Sequence, residues 1–212
     1  LRTVGLWLVL KNECIELMRA NGMWRSDRNN YGPEWERIRW IVRQRDQFTC
    51  QVCGKTENQE EHHVHHKMPF KSFTTPEKAN TLSNLITLCA DCHSTVESQV
   101  RVRSALSGLN NLLESLAPLM VMSDAGDLGN FFDPMAKFEG NQPAIIFYDN
   151  IPAGIGLADH LYERFQELLI NAADVVTHCE CSDGCPSCVG PSLDSSSGGK
   201  TETQQLIKYL QE

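Results

Sequence analysis

The chain has 212 residues, room for one large domain or two small ones with cores of their own, and a formal net charge of −8. It has no run of about eighteen apolar residues, which excludes a membrane-spanning helix, and its start, "LRTVGLWLVLKNECIEL", lacks both a signal-peptide pattern and an initiating Met, so a cytoplasmic piece of a longer protein is expected. The acidic balance argues against nucleic acid only until its distribution is read: residues 24–103 carry 12 Lys+Arg against 10 Asp+Glu and five of the seven histidines, whereas the remainder carries 7 against 17.

In chain order, "TVGLWLVL" (3–10) predicts a buried strand, and the polar run "RSDRNNYGP" (25–33) a boundary. A helix follows Pro33, with Trp35, Ile38, Ile41 and Val42 on one face and Arg37, Arg43 and Arg45 turned largely outward. "FTCQVCGK" reads as a strand and a turn ending in Gly54, the shape of a zinc knuckle. The stretch "EHHVHHKMPF" (61–70) then packs four histidines into five positions. "SNLITLCADCHSTVE" reads as a short strand, a second knuckle and the first turn of a helix.

Residues 99–118 predict another helix, with Val102, Leu106, Leu109, Leu112, Leu113 and Leu116 at helical spacing and Pro118 as its stop. "PAIIFYDN" (143–150) is an apolar strand, followed by a Gly-rich turn and one long amphipathic helix in "PAGIGLADHLYERFQELLINAADVV". Gly154 and Gly156 before a helix suggest a phosphate loop, but its Lys-Ser/Thr is missing, and a tight strand-to-helix turn is the better reading. A Ser/Gly linker (195–199) and a terminal helix (201–211) close the chain.

Eight of the nine cysteines fall in close sets: Cys50/Cys53, Cys89/Cys92, and Cys179, Cys181, Cys185 and Cys188. An odd count in tight clusters without a secretion signal favours metal over disulfides. Each set of four thiolates suits a closed, structural Zn2+; Cys14 is left as a small buried hydrophobe. Adjacent residues of a strand point to opposite faces, so one of the neighbouring rings of His65 and His66 can hold a metal while the other takes a proton. Neutral imidazole suits such proton transfer near pH 7. His62 and His63 read as ribbon surface.

"VHHKMPF" followed by "NTLSNLITLCADCH", with a knuckle at each end and "WERIRWIVRQRDQFTCQVCG" before it, resembles the HNH endonucleases. It is most like the zinc-bearing type of methylcytosine-specific restriction enzymes and group II intron proteins. The likeness covers residues 34–98 and implies a ββα-metal unit that cleaves DNA. By this resemblance His65, His93 and Glu97 are ligands of a catalytic Mg2+ or Mn2+, His66 is the general base, and Asn84 braces the loop that aims it. Lys67 stands where the family has an apolar residue. It joins Arg37, Arg43, Arg45 and Lys71 as candidate contacts to the DNA backbone.

The remaining pieces, "TVGLWLVL", "ALSGLNNLLESLAPLMVMSDAGDLG", "IIFYDNIPAGIGLA" and "CECSDGCPSCVG", resemble the C-terminal zinc-binding domain of MrfA-type superfamily-two helicases. The expected architecture is therefore α+β: an HNH module (31–98) with its own four-cysteine zinc, inserted into a mixed α/β host (1–30 and 99–212) with a second. The expected partners are DNA and a helicase motor, upstream in the chain or separate, with no membrane. The alternative is a catalytically silent zinc module that binds DNA or docks the motor.

Overall fold

The computed structural model describes residues 3–23, 29–124, 126–137, 140–190 and 199–212. Positions 25–28 of the polar boundary and 195–198 of the Ser/Gly stretch lie outside the described residues, as does the side chain of Lys71. The chain divides into two compact units, one drawn from 1–24, 101–192 and 198–212, the other chiefly from 25–100. Among the described residues no helix is long and apolar enough to cross a membrane.

The first unit is a three-stranded antiparallel sheet packed on helices. Strands β1 (Gly5–Val9), β4 (Leu128–Ala136) and β5 (Gln142–Asp149) lie in the order β1-β5-β4. Alternation decides the faces: Leu6, Leu8, Ile145 and Phe147 turn to the core, whereas Trp7, Ile146 and Phe131 form a cross-strand row on the other side. Sequence reading missed β4 because Asp133 and Pro134 break its pattern. A register shift between Asp133 and Ala136 accommodates them on an edge strand, where proline costs no central ladder bond. It also missed α1 (Asn12–Ala20), whose Met18 is fully buried; the left-over Cys14 on that helix is only half-buried.

Two helix expectations need correction. Pro118 does not stop the helix. α4 runs from Ala90 to Val121 without interruption, because a proline three residues from the end forfeits one backbone bond while Ala117, Met120 and Val121 stay packed. The single helix expected after the Gly-rich turn is instead two, α5 (Leu157–Glu163) and α6 (Phe165–His178), broken at Arg164. There the Arg164 guanidinium donates to Met120 O (2.8 Å) and pairs with Glu167. The terminal helix α7 (Lys200–Gln211) crosses α4 so closely that a Cβ at Gly108 would collide with Thr203 and Val189.

The Gly-rich turn is already filled from within. The Asp149 carboxylate, 2% exposed, accepts N–H bonds from Ile155 (2.6 Å), Gly156 (2.9 Å), Leu157 (3.2 Å) and Ala158 (2.8 Å). The donors that a phosphate would need are thus spent on the protein's own anion. Burial alone would raise the Asp149 pKa, but these four donors hold it below the ordinary 3.8. A depressed folded value contributes stability that is whole above the unfolded value and lost as pH falls through the folded one. Asp149→Ala is accordingly expected to cost about 3 kcal/mol at pH 7. Thermal melts should also show the gap from wild type closing below about pH 4.

The second unit is built around a β-hairpin followed by a helix. β2 (His63–His66) pairs with β3 (Leu85–Leu88), and α4 begins two residues later, giving the expected ββα order. α2 (Trp35–Arg45) lays Val42 and the half-buried Trp35 and Ile38 on Val64 and Leu85 of the hairpin. Between the strands lie two 3-10 turns (Phe70–Ser72 and Leu82–Asn84) and a single helical turn, α3 (Pro76–Ala79).

Candidate metal centres and active site

Cys50, Cys53, Cys89 and Cys92 converge, each sulfur within 4.8 Å of the others, with Cys53 Sγ 3.7 Å from Cys89 Sγ. Gly54 makes the tight turn at φ +76°, donating its N–H to Cys50 O (2.9 Å). Burial opposes ionisation of Cys50, yet N–H groups including those of Cys53, Cys89 and Val52 aimed at its sulfur bring it down to about 6. Such donors stabilise a thiolate, the form that ligates metal.

The second set is tighter. Sulfur separations are 3.5 Å for Cys179–Cys181, Cys179–Cys185 and Cys181–Cys188, and 3.6 Å for Cys185–Cys188. A tetrahedron with Zn–S bonds of about 2.3 Å has edges of about 3.8 Å, so both donor type and spacing fit zinc. The Lys200 ammonium donates to Cys179 O (2.5 Å) and Cys181 O (2.7 Å), fastening α7 to this loop.

The third cluster has different donors. His65 on β2, and His93 and Glu97 one turn apart on α4, bring two imidazole nitrogens and a carboxylate oxygen within 4.8 Å of one another. His93 Nε2 is 3.8 Å from Glu97 Oε1. Burial, then the proximity of His93 and His66, lowers the His65 pKa to about 4. Burial likewise lowers His93, against the pull of Glu97. Both rings are therefore neutral at pH 7 with lone pairs free for a cation. Two imidazoles and a carboxylate fit a divalent ion with open positions left over.

His66 points to the opposite face and is buried. Its ring stacks on Trp35 (5.2 Å between centroids) and Tyr31 (5.4 Å) and meets the edge of Phe70 (5.5 Å). Its Nε2 lies 2.9 Å from Asn80 Oδ1, and burial lowers its pKa against that bond. Asn84, also buried, accepts from Met68 N (2.8 Å) and donates to Met68 O (3.2 Å) and Ala79 O (2.9 Å), tying the two loops together.

Several expected surface residues are placed otherwise. Arg43 is not outward: it is buried in a two-bond pair with Glu57 (2.7 Å each) and a further contact to Glu61, because α2 turns this position onto the 57–61 loop. Arg45 is exposed, but its guanidinium is engaged by Asp46, Leu82 O (2.6 Å) and Leu85 O (2.9 Å). Arg37 is exposed and pairs with Glu34; Lys67 is exposed with Nζ on Ser83 O (3.0 Å). His62 is not ribbon surface but buried, its ring 2.8 Å from Lys55 O. His63 is exposed, and its ring stacks on His93 at 4.9 Å, beside the third cluster. The i, i+2 spacing of His63 and His65 signalled that shared face. No local pattern marked Asn80 or Tyr31.

Residues 50–99 match the HNH endonuclease family, and residues 109–189 match the MrfA Zn-binding domain family. The protein MJ1572.1 of Methanocaldococcus jannaschii is 33% identical over 100 residues, which cover 45% of this chain and 88% of that protein. The chain belongs to the MrfA zinc-binding domain family and carries an HNH endonuclease domain. The ATP-dependent helicase YprA of Bacillus subtilis is 38% identical over 89 residues, 42% of this chain and 12% of that one. The crystal structure of the DUF1998 helicase MrfA bound to DNA is similar at 32% identity and a TM-score of 0.48, over 53% of this chain and 15% of that one. This MrfA-type chain thus spans only about an eighth of the length of the bacterial helicase it matches.

Proposed function

We propose that this MrfA-type chain is the C-terminal part of a helicase-nuclease. In this reading residues 31–98 form a DNA endonuclease inserted into a zinc-bearing host domain, 1–30 and 99–212. The observation that carries it is the convergence of His65, His93 and Glu97 where the hairpin meets the helix. These three residues would hold the catalytic Mg2+ or Mn2+. When bound, that ion supplies positive charge to the phosphate oxygens and the departing 3′-oxygen.

The chain's own residues divide the remaining work. His66, neutral at pH 7, takes the proton of the attacking water. Asn84 fixes the loop at the end of β2 and so the ring's position. Arg37 and Lys67, both exposed, contact DNA phosphates without reading sequence. Lys71 is proposed for the same role from its position alone, and Arg45 only if it exchanges its backbone acceptors. Cys50, Cys53, Cys89 and Cys92, and separately Cys179, Cys181, Cys185 and Cys188, hold the two structural zincs. In the full protein a helicase motor delivers DNA, in repair or in defence against foreign DNA, in the cytoplasm.

The burial of His66 among Tyr31, Trp35 and Phe70 favours a second reading, a silent zinc module that binds DNA or docks the motor. Plasmid nicking by the zinc-loaded chain across Mg2+, Mn2+, Ca2+ and EDTA separates the two. Cleavage in Mg2+ or Mn2+ and none in EDTA is expected. Absence of cleavage in every metal, with DNA binding retained, would establish the silent module.

A further inference from the structure

We infer that Asn80 is a positioning residue that touches His66 directly, holding its Nε2 protonated and thereby making Nδ1 the nitrogen that accepts the proton. The catalytic half of this inference rests on the nuclease reading above; the placement of the proton does not.

The argument begins with the amide's orientation. One end of the Asn80 side chain lies 2.8 Å from Tyr31 O. A peptide carbonyl only accepts, so that end is the NH2 group, and the other end, facing His66 Nε2 at 2.9 Å, is the oxygen. An amide oxygen also only accepts. Nε2 must therefore donate, and a neutral imidazole with hydrogen on Nε2 keeps its lone pair on Nδ1.

Three further contacts keep the ring from escaping this arrangement. Trp35 and Tyr31 lie near-parallel to it, at 15° and 11°, and Phe70 closes the edge at 78°. Turning the ring over would place a carbon against Asn80 Oδ1 and leave that buried oxygen without a donor. Asn80 is itself 6% exposed and anchored through its own N–H to Pro76 O (2.9 Å). Asn80, Tyr31 and His66 thus form a closed circuit: amide to Tyr31 backbone, Tyr31 ring to imidazole, imidazole to amide.

The test uses the full zinc-loaded chain, labelled with 15N at histidine. Two-bond 15N–1H correlations of His66 at neutral pH should show hydrogen on Nε2 in the wild type and in Asn80→Gln, which keeps both the amide oxygen and the NH2 group. Asn80→Leu should show a mixture of the two tautomers. In the nicking assay Asn80→Leu should lose about 10–100-fold in kcat with KM little changed, and Asn80→Gln should recover most of it. Hydrogen on Nδ1 in the wild type overturns the inference. So does an Asn80→Leu chain that holds both zincs, keeps the Nε2–H form and nicks at the parental kcat. If the wild type nicks in no metal, the nuclease reading fails, while the spectra still decide where Asn80 places the proton.

Discussion

Cys188→Ser is expected to strip one zinc from the chain and to lower its melting temperature by at least about 10 °C. The Cys188 sulfur is fully buried, in the same core as Leu109, Leu168 and Leu206, with Cys179, Cys181 and Cys185 packed against it. Structural zinc in small domains contributes an apparent 10–16 kcal/mol or so at pH 7, comparable with the whole stability of a typical domain. A shift of about 10 °C corresponds to only a few kcal/mol at this chain length, so the estimate is conservative. The cluster also anchors α7 through Lys200, whose ammonium holds the Cys179 and Cys181 carbonyls, so its loss should loosen the terminal helix too. Metal analysis checks the first half: two tightly bound zincs per wild-type chain, one in Cys188→Ser. Two zincs and an unchanged melt in the variant would remove this cluster from the architecture.

His66→Gln is expected to reduce nicking about 10²–10⁴-fold, the usual contribution of a positioned general base. Glutamine is the chosen replacement because the site is enclosed. Alanine would leave a void among Tyr31, Trp35 and Phe70 and an orphaned Asn80 oxygen, mixing a folding cost into the rate. A glutamine side chain fills part of that space and can still donate to Asn80. Its melting temperature and its content of two zincs should match the wild type, so any lost rate belongs to the proton transfer. His93→Ala provides the contrast: it removes a donor from the half-buried third cluster, and its rate should recover partly at raised Mn2+. Undiminished cleavage by His66→Gln would move the base elsewhere, with His63 the next imidazole to test.

The parts legible in the chain are those with short, rigid grammar. Two Cys-x2-Cys knuckles and the Cys-x-Cys-x3-Cys-x2-Cys run dictate their own local turns, and the structure brings each set of four sulfurs together. His93 and Glu97 stand four apart on one helix, so their shared face follows from helix geometry, and the alternation of β2 sends His65 and His66 to opposite sides. Strands β1 and β5 and the apolar stripe of α4 announced themselves by periodicity.

Contacts between residues far apart in the chain carried no such grammar. Nothing local says that Glu57 will meet Arg43, so a residue expected on a solvated helix face is instead an internal ion pair. Proline at 118 and at 134 breaks a helix or strand in isolation, but packing on α4 and an edge position on β4 absorb the lost bond. Asn80 reaches His66 across fourteen residues, and Tyr31 across thirty-five. The sequence by itself determined how the candidate donors are spaced within each knuckle, strand and helix turn, because that spacing is a property of the backbone. Only the tertiary structure decided which side of His66 is covered and which nitrogen is engaged, because those depend on long-range packing that no local pattern encodes.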